Sequence, residues 1–187
     1  MHHPTRRALT TALTALAALT LAGGCATGTP TTITHGSTAA TPGAASQTPT
    51  PGPPAFTIGT PLQVDTAAWS GTYTVTKVEK TTTPDSTGMQ PDNGSWVLVE
   101  ATVEITKDNT LVCSCDFTLI GSDKRVYQQT YASFPAHPDF QSVDVATGQR
   151  TGGWLIFDVP PAASKGAQIQ LKITSLYTQD AFGYWNI

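Results

Sequence analysis

Beyond residue 55 the apolar residues tend to fall at every second position, in short runs separated by Gly, Pro, Asn and Asp. That is the period of a half-buried strand, and no stretch keeps the three-to-four spacing of an amphipathic helix. The clearest run is 96–106. Val97, Val99, Ala101, Val103 and Ile105 share one face, while Glu100, Thr102 and Glu104 share the other with Trp96 and Leu98. One face of that strand is expected against a core and the other toward water. A strand over 56–64 breaks at Gly59-Thr-Pro61. Another over 71–82 has Tyr73 and Val75 on one face, and Val78 falls out of phase, which predicts a bulge. Residues 84–94 form a loop closed by Asp92-Asn93-Gly94, a sequence suited to a tight turn. A hairpin follows over 116–128, turning at Gly121-Ser-Asp-Lys124, and 133–139 is a loop stiffened by proline. Further strands cover 140–145, 154–159 (stopped by Pro160-Pro161) and 167–173, ahead of an apolar segment over 177–187. About eight short strands in roughly 130 residues predict an all-β fold, an immunoglobulin-like antiparallel two-sheet β-sandwich. A domain of that size buries roughly two-thirds of its unfolded surface and needs no disulfide to hold a core.

Residues 1–55 carry none of this alternation. Arg6 and Arg7 precede an Ala- and Leu-rich stretch that ends at Leu19-Thr-Leu-Ala-Gly-Gly-Cys25. A basic start, a short apolar run and small residues before a cysteine make an export signal, and the last segment resembles a bacterial lipobox. One position departs from that pattern, since Ala22 stands where leucine is usual. Residues 1–24 are thus expected to be a lipoprotein signal peptide and Cys25 the lipidated first residue of the mature chain, fixing it to the membrane through acyl chains. Cleavage by the ordinary signal peptidase, leaving Cys25 as a free thiol, is the alternative. After Cys25, residues 26–55 are almost exclusively Thr, Pro, Ala, Gly and Ser, with isolated Ile33 and His35. Such a segment buries too little apolar surface to offset its ordering entropy, so it is read as a disordered stalk, with His35 a solvated linker residue. As a coil it would reach about 30 Å, and fully extended about 90 Å. Residues 56–187 form the sandwich domain.

Charge narrows the choice of partner. The formal net charge is -3, and loss of Arg6 and Arg7 with the leader takes the mature chain to about -5. An acidic chain with scattered lysines is a poor match for phosphate backbones, which excludes nucleic acid as a partner. No apolar run reaches the roughly 18 residues of a spanning helix.

The strand over 96–106, then Asp116-Phe-Thr-Leu-Ile-Gly-Ser-Asp-Lys-Arg-Val-Tyr127, then Thr147-Gly148 and Gly153-Trp-Leu-Ile-Phe-Asp-Val-Pro160, form an ordered set. It resembles the telokin-like, immunoglobulin-fold domain of secreted and lipid-anchored proteins of Gram-positive bacteria, over residues 59 to about 185. The resemblance implies a sandwich and an extracytoplasmic home. It implies no activity, and Cys113-Ser-Cys115 is not part of its pattern.

Those two cysteines are the sharpest chemical feature. They share parity with Leu111, Phe117 and Leu119, so an unbroken strand would turn both thiols toward the core. In an oxidising compartment a lone pair of cysteines forms a disulfide. Two residues of strand separate Cα atoms by about 6.6 Å, at the upper edge of what a disulfide spans, so a bridge needs a turn or bulge. We expect a local, labile disulfide. Two buried thiols acting as small hydrophobes, and a soft-metal or redox site suited to Cu(I), are the alternatives. His137-Pro138-Asp139 matches the tripeptide of J-domain cochaperones but lacks flanking helices. With a serine these residues could make a triad on paper, yet no Gly-x-Ser-x-Gly elbow is present. Trp69, Trp96, Trp154 and Trp185 are expected mainly as core filler, with Trp96 the candidate exposed aromatic. The expected function is therefore that of a lipid-anchored, non-catalytic binding domain without cofactor, contacting an envelope protein or ligand. A copper-handling or thiol-redox accessory protein using Cys113 and Cys115 is the alternative.

Overall fold

In a computed structural model of the chain, the described residues are 32–35, 55–174 and 181–187. The leader, Cys25 and the rest of the linker lie outside them. The strands are β1 (Thr32–His35), β2 (Ala55–Thr57), β3 (Leu62–Asp65), β4 (Ser70–Thr81), β5 (Trp96–Lys107) and β6 (Thr110–Val112). They continue with β7 (Phe117–Ile120), β8 (Val126–Tyr127), β9 (Val143–Val145), β10 (Arg150–Asp158), β11 (Gln168–Ile173) and β12 (Ala181–Asn186). One sheet runs β1-β3-β4-β5-β10 and the other β2-β12-β11-β7-β8, with β6-β9 a separate ribbon. All pairings are antiparallel except β2 beside β12. The runs β4-β5-β10 and β8-β7-β11-β12 have the strand neighbours of the A-B-E and C′-C-F-G sheets of an immunoglobulin domain. The fold is the expected β-sandwich.

The core is the space between the sheets. Val97, Val99, Ala101, Val103 and Ile105 of β5 are all buried there with Phe117, Leu119, Ile169, Leu171 and Trp185. The expected bulge in β4 is present. Register slips between Val75 and Lys77, so Thr76 is the extra residue, and Val78 returns to pack on the core.

Within the linker, Thr32–His35 adds a strand to the edge of the first sheet by pairing with Leu62–Asp65. Four residues, Thr-Ile-Thr-His, are enough when a ready edge supplies the backbone partners. Two expectations are corrected. Leu111 does not face the core. It is 60% exposed and Val112 is buried instead, because the chain turns at 114–116 and parity is not carried through. The second is Trp96, which is 2% exposed. Its face of the sheet, with Leu98, Trp154 and Ile156, is covered by Ala132 and Phe134 from a strap that runs from 128 to 140.

That strap also closes the edge of β10. Gln129 bridges Phe157, the Thr130 amide donates to the Ile156 carbonyl at 2.8 Å, and Pro138 and Phe140 each exchange a 2.9 Å bond with Trp154. The approach is close enough to require glycine at 153. A Cβ there would sit 2.6 Å from both the Cα and the nitrogen of Phe140. Gly153 opens the Gly153–Pro160 motif, and this contact is a physical reason for the glycine there.

Candidate functional site

Two places on the described surface combine exposure with chemistry. The first is the turn between β6 and β7. A one-turn 3-10 segment, Ser114–Asp116, follows Cys113 and draws the Cα atoms of Cys113 and Cys115 to 5.0 Å, where the two sulfurs are bonded. Several contacts independent of the bridge hold the turn. The Asp116 amide donates to the Cys113 carbonyl at 3.2 Å, and the Ser114 amide donates to Ser142 Oγ at 3.0 Å. The Gln129 side-chain amide donates to the Ser114 carbonyl and, at 3.3 Å, to that of Phe117. The two sulfurs differ in surroundings. Cys115 is exposed, whereas Cys113 is half-buried and its Sγ accepts from the Cys115 amide at 3.1 Å and from Ser142 Oγ at 3.6 Å. Neither thiol faces the core as the parity argument expected, because the turn rotates both out of the strand. Burial pushes the Asp116 carboxyl up to about 6, against the pull of a hydrogen bond from the Cys113 amide. The buried Tyr73 hydroxyl is raised as well, first by desolvation and then by Asp116.

The second place is the strap. His137, part of the strap, is partly buried, edge-on to Trp154 with ring centroids 4.3 Å apart, and its Nε2 lies 2.9 Å from Glu79 Oε2. Glu79 also pairs with Lys77 at 2.5 Å, and these partners hold its carboxyl below the usual range, the Lys77 hydrogen bond foremost. Asp139 is exposed, and no hydrogen bond or ion pair joins its carboxylate to His137 among the described residues, so the paper triad is not assembled. Beside the strap lies a pocket of about 200 Å³, lined by Gln129, Thr130, Asp139, Gln141, Trp154 and Ile156 among others. Tyr131 stands at its rim, 81% exposed. Sequence reading missed Tyr131 because it belongs to no alternating run. Its only signal was an aromatic in a loop that carries Pro135 and Pro138. Ser142 and Asp116 were missed because their role depends on a turn.

Of the residues singled out from sequence, Cys25 lies outside the described part, Cys113 and Cys115 are joined, and Trp96 is core. Trp154 and Trp185 are buried too, and Trp69 packs on the core from its margin. With the sulfurs bonded to each other, neither is a thiolate that Cu(I) could take in this state. Among the described residues no three His, Cys, Asp or Glu side chains gather as a metal site.

The fold defines an antiparallel β-sandwich domain with immunoglobulin-like strand neighbours. The chain belongs to the family described as Domain of unknown function (DUF4352), whose model matches residues 57–182. Two solved structures share the fold. One is MPT63, a secreted protein of Mycobacterium tuberculosis, at 16% identity and a TM-score of 0.56, with 74% of this chain and 100% of that one covered. The other is the yjhA protein of Bacillus subtilis, at 14% identity and a TM-score of 0.53, with 70% and 99% covered. No curated protein matches the sequence.

Proposed function

We propose that this chain is a lipid-anchored protein of the outer face of the cell membrane, whose sandwich binds an envelope partner rather than catalysing a reaction. The observation that carries the reading is the order Arg6-Arg7, apolar run, Gly23-Gly24-Cys25 and then a Thr- and Pro-rich linker ahead of a globular domain. Two facts support it. The bridge between Cys113 and Cys115 calls for an oxidising compartment, which an exported chain meets. A protein of the same fold, MPT63, is described as secreted. The binding surface is the strap pocket with Tyr131, an exposed aromatic beside amide and carboxylate groups, which is the composition of a contact surface.

The test is made in cells fed an alkyne-labelled fatty acid. The full chain is expected to take up label and pellet with membranes, while Cys25→Ser is unlabelled and soluble. An unlabelled, soluble wild type rejects the anchor.

A further inference from the structure

A disulfide that spans two residues fastens nothing to anything. It closes so small a loop that it removes little entropy from the unfolded chain. The flanking residues are held without it, since Val112 and Phe117 are fully buried on either side and the turn has its own hydrogen bonds to Gln129 and Ser142. Opening the bond therefore leaves fold and turn in place, with both sulfurs still apposed. What remains is the chemistry of the bond, and there the two sulfurs are unequal. Cys115 is exposed, so an incoming thiolate reaches it first. Cys113 is half-buried and already faces two donors, the Cys115 amide and the Ser142 hydroxyl. Donors stabilise a thiolate, and a better-stabilised thiolate leaves faster in exchange.

We infer that the Cys113–Cys115 bridge is an exchange-active disulfide that takes two electrons from the dithiol of a reduced exported protein, with Cys115 as the sulfur attacked and Cys113 as the leaving thiolate. In the first step a partner thiolate bonds to Cys115 Sγ, the bond between Cys115 and Cys113 breaks, and its electron pair departs on Cys113 Sγ. In the second step the partner's other thiolate attacks the partner sulfur of the mixed disulfide and releases Cys115 as thiolate. The partner ends as a disulfide and this chain as a dithiol. Two protons, lost by the partner's thiols to solvent, are balanced by those taken up at Cys113 and Cys115. The proposal rests on described residues only and is independent of the anchor at Cys25.

The test uses the full chain with Cys25→Ser, which leaves two cysteines, and a synthetic peptide carrying two cysteines as the dithiol. Reduction is followed by acid quench and mass spectrometry, and monothiol attack is mapped with glutathione. The peptide is expected to reduce the bridge stoichiometrically while the melting curve stays within a few degrees of the oxidised chain. Glutathione is expected on Cys115 in about tenfold excess over Cys113. Ser142→Ala, an exposed position, should slow reduction about threefold, while the melting curve falls by only a few degrees because the Asp116 and Gln129 hydrogen bonds still hold the turn. A bridge that survives excess dithiol in the folded chain overturns the proposal, as does loss of folding on reduction. Equal amounts of glutathione on both sulfurs, or a Ser142→Ala chain reduced at the wild-type rate, overturns the assigned polarity.

Discussion

Gly153→Ala tests whether the strap is what closes the outer face of the first sheet. The new Cβ would meet Phe140 Cα and N at 2.6 Å and the Asp139 carbonyl carbon at 2.7 Å. All three are backbone atoms, so no side chain can swing aside. To reach an ordinary contact the strap must lift by close to an ångström, which breaks the two 2.9 Å bonds that join Pro138 and Phe140 to Trp154. Two lost backbone bonds cost about 1–3 kcal/mol. Partial uncovering of Trp96, Leu98, Trp154 and Ile156 adds to that, for a total of about 2–4 kcal/mol, or roughly 10 °C in melting temperature. Gly148→Ala is the control. Its φ is +79° but no atom lies within 4 Å of its added Cβ, so only the local backbone cost of about 1 kcal/mol applies. Urea titration of the two variants gives the stabilities. Amide hydrogen exchange locates the damage, which should appear as lost protection at Phe140 and Trp154 with the β11–β12 amides unaffected. A Gly153→Ala chain as stable as Gly148→Ala, with those two amides still protected, would refute the close-contact explanation of this glycine.

Asp85 accepts from the Thr87 amide and hydroxyl, the Met89 amide and the Ser133 amide, tying the 82–94 loop to the strap, and these bonds lower its carboxyl to about 2. A depressed acid contributes stability in full above its ordinary range near 4 and loses it as pH falls toward 2, so Asp85→Asn should melt below wild type at pH 7, with the gap narrowing between pH 4 and 2. Asp116 has the opposite sign. A carboxyl raised to about 6 binds its proton more tightly when folded, so ionisation costs stability that grows between pH 4 and 6 and stays in full above that. Asp116→Asn should then exceed wild type by about 1–2 kcal/mol at pH 7.5, allowing for partial solvent screening, and match it near pH 4. Trp96→Phe should cost less than about 2 kcal/mol by urea titration, because the buried indole N–H has no hydrogen-bond partner to lose.

What could be read from sequence was whatever alternation encodes. Val97 to Ile105 announced a strand with one buried face, Val78 announced a bulge, and Pro160-Pro161 announced a strand end. Alternation says that a face is covered, not what covers it. Trp96 and Leu98 looked like exposed apolar residues because their cover, Ala132 and Phe134, comes from a loop more than thirty residues further on. The turn at 114–116 was hidden for a related reason. Leu111, Cys113, Cys115 and Phe117 fit one strand by parity, and only the tertiary pull of Gln129 and Ser142 shows that the chain leaves the sheet between them. The β1 strand was invisible because Thr and Ile in a Pro- and Ala-rich linker carry no period, and the edge they pair with lies thirty residues away.

That small strand changes the reach of any anchor at Cys25. A linker free from 25 to 55 could hold the domain up to about 90 Å from the membrane. With Thr32 paired to Asp65, six residues of chain lie between Cys25 and the sandwich, about 25 Å at full extension. The pairing also orients what hangs there. Thr32 lies level with Asp65, Ser70 and Lys107 at one end of the first sheet. From Lys107 the chain passes through β6 to Cys113 and enters β7 at Phe117, close to the end where β11 finishes and β12 begins. The disulfide and the tether therefore share one pole of the sandwich, while the turns at 58–61 and 92–94 lie toward the other. A lipid at Cys25 would turn that pole to the membrane. The thiols able to reach Cys115 would then be those of proteins held near the bilayer surface.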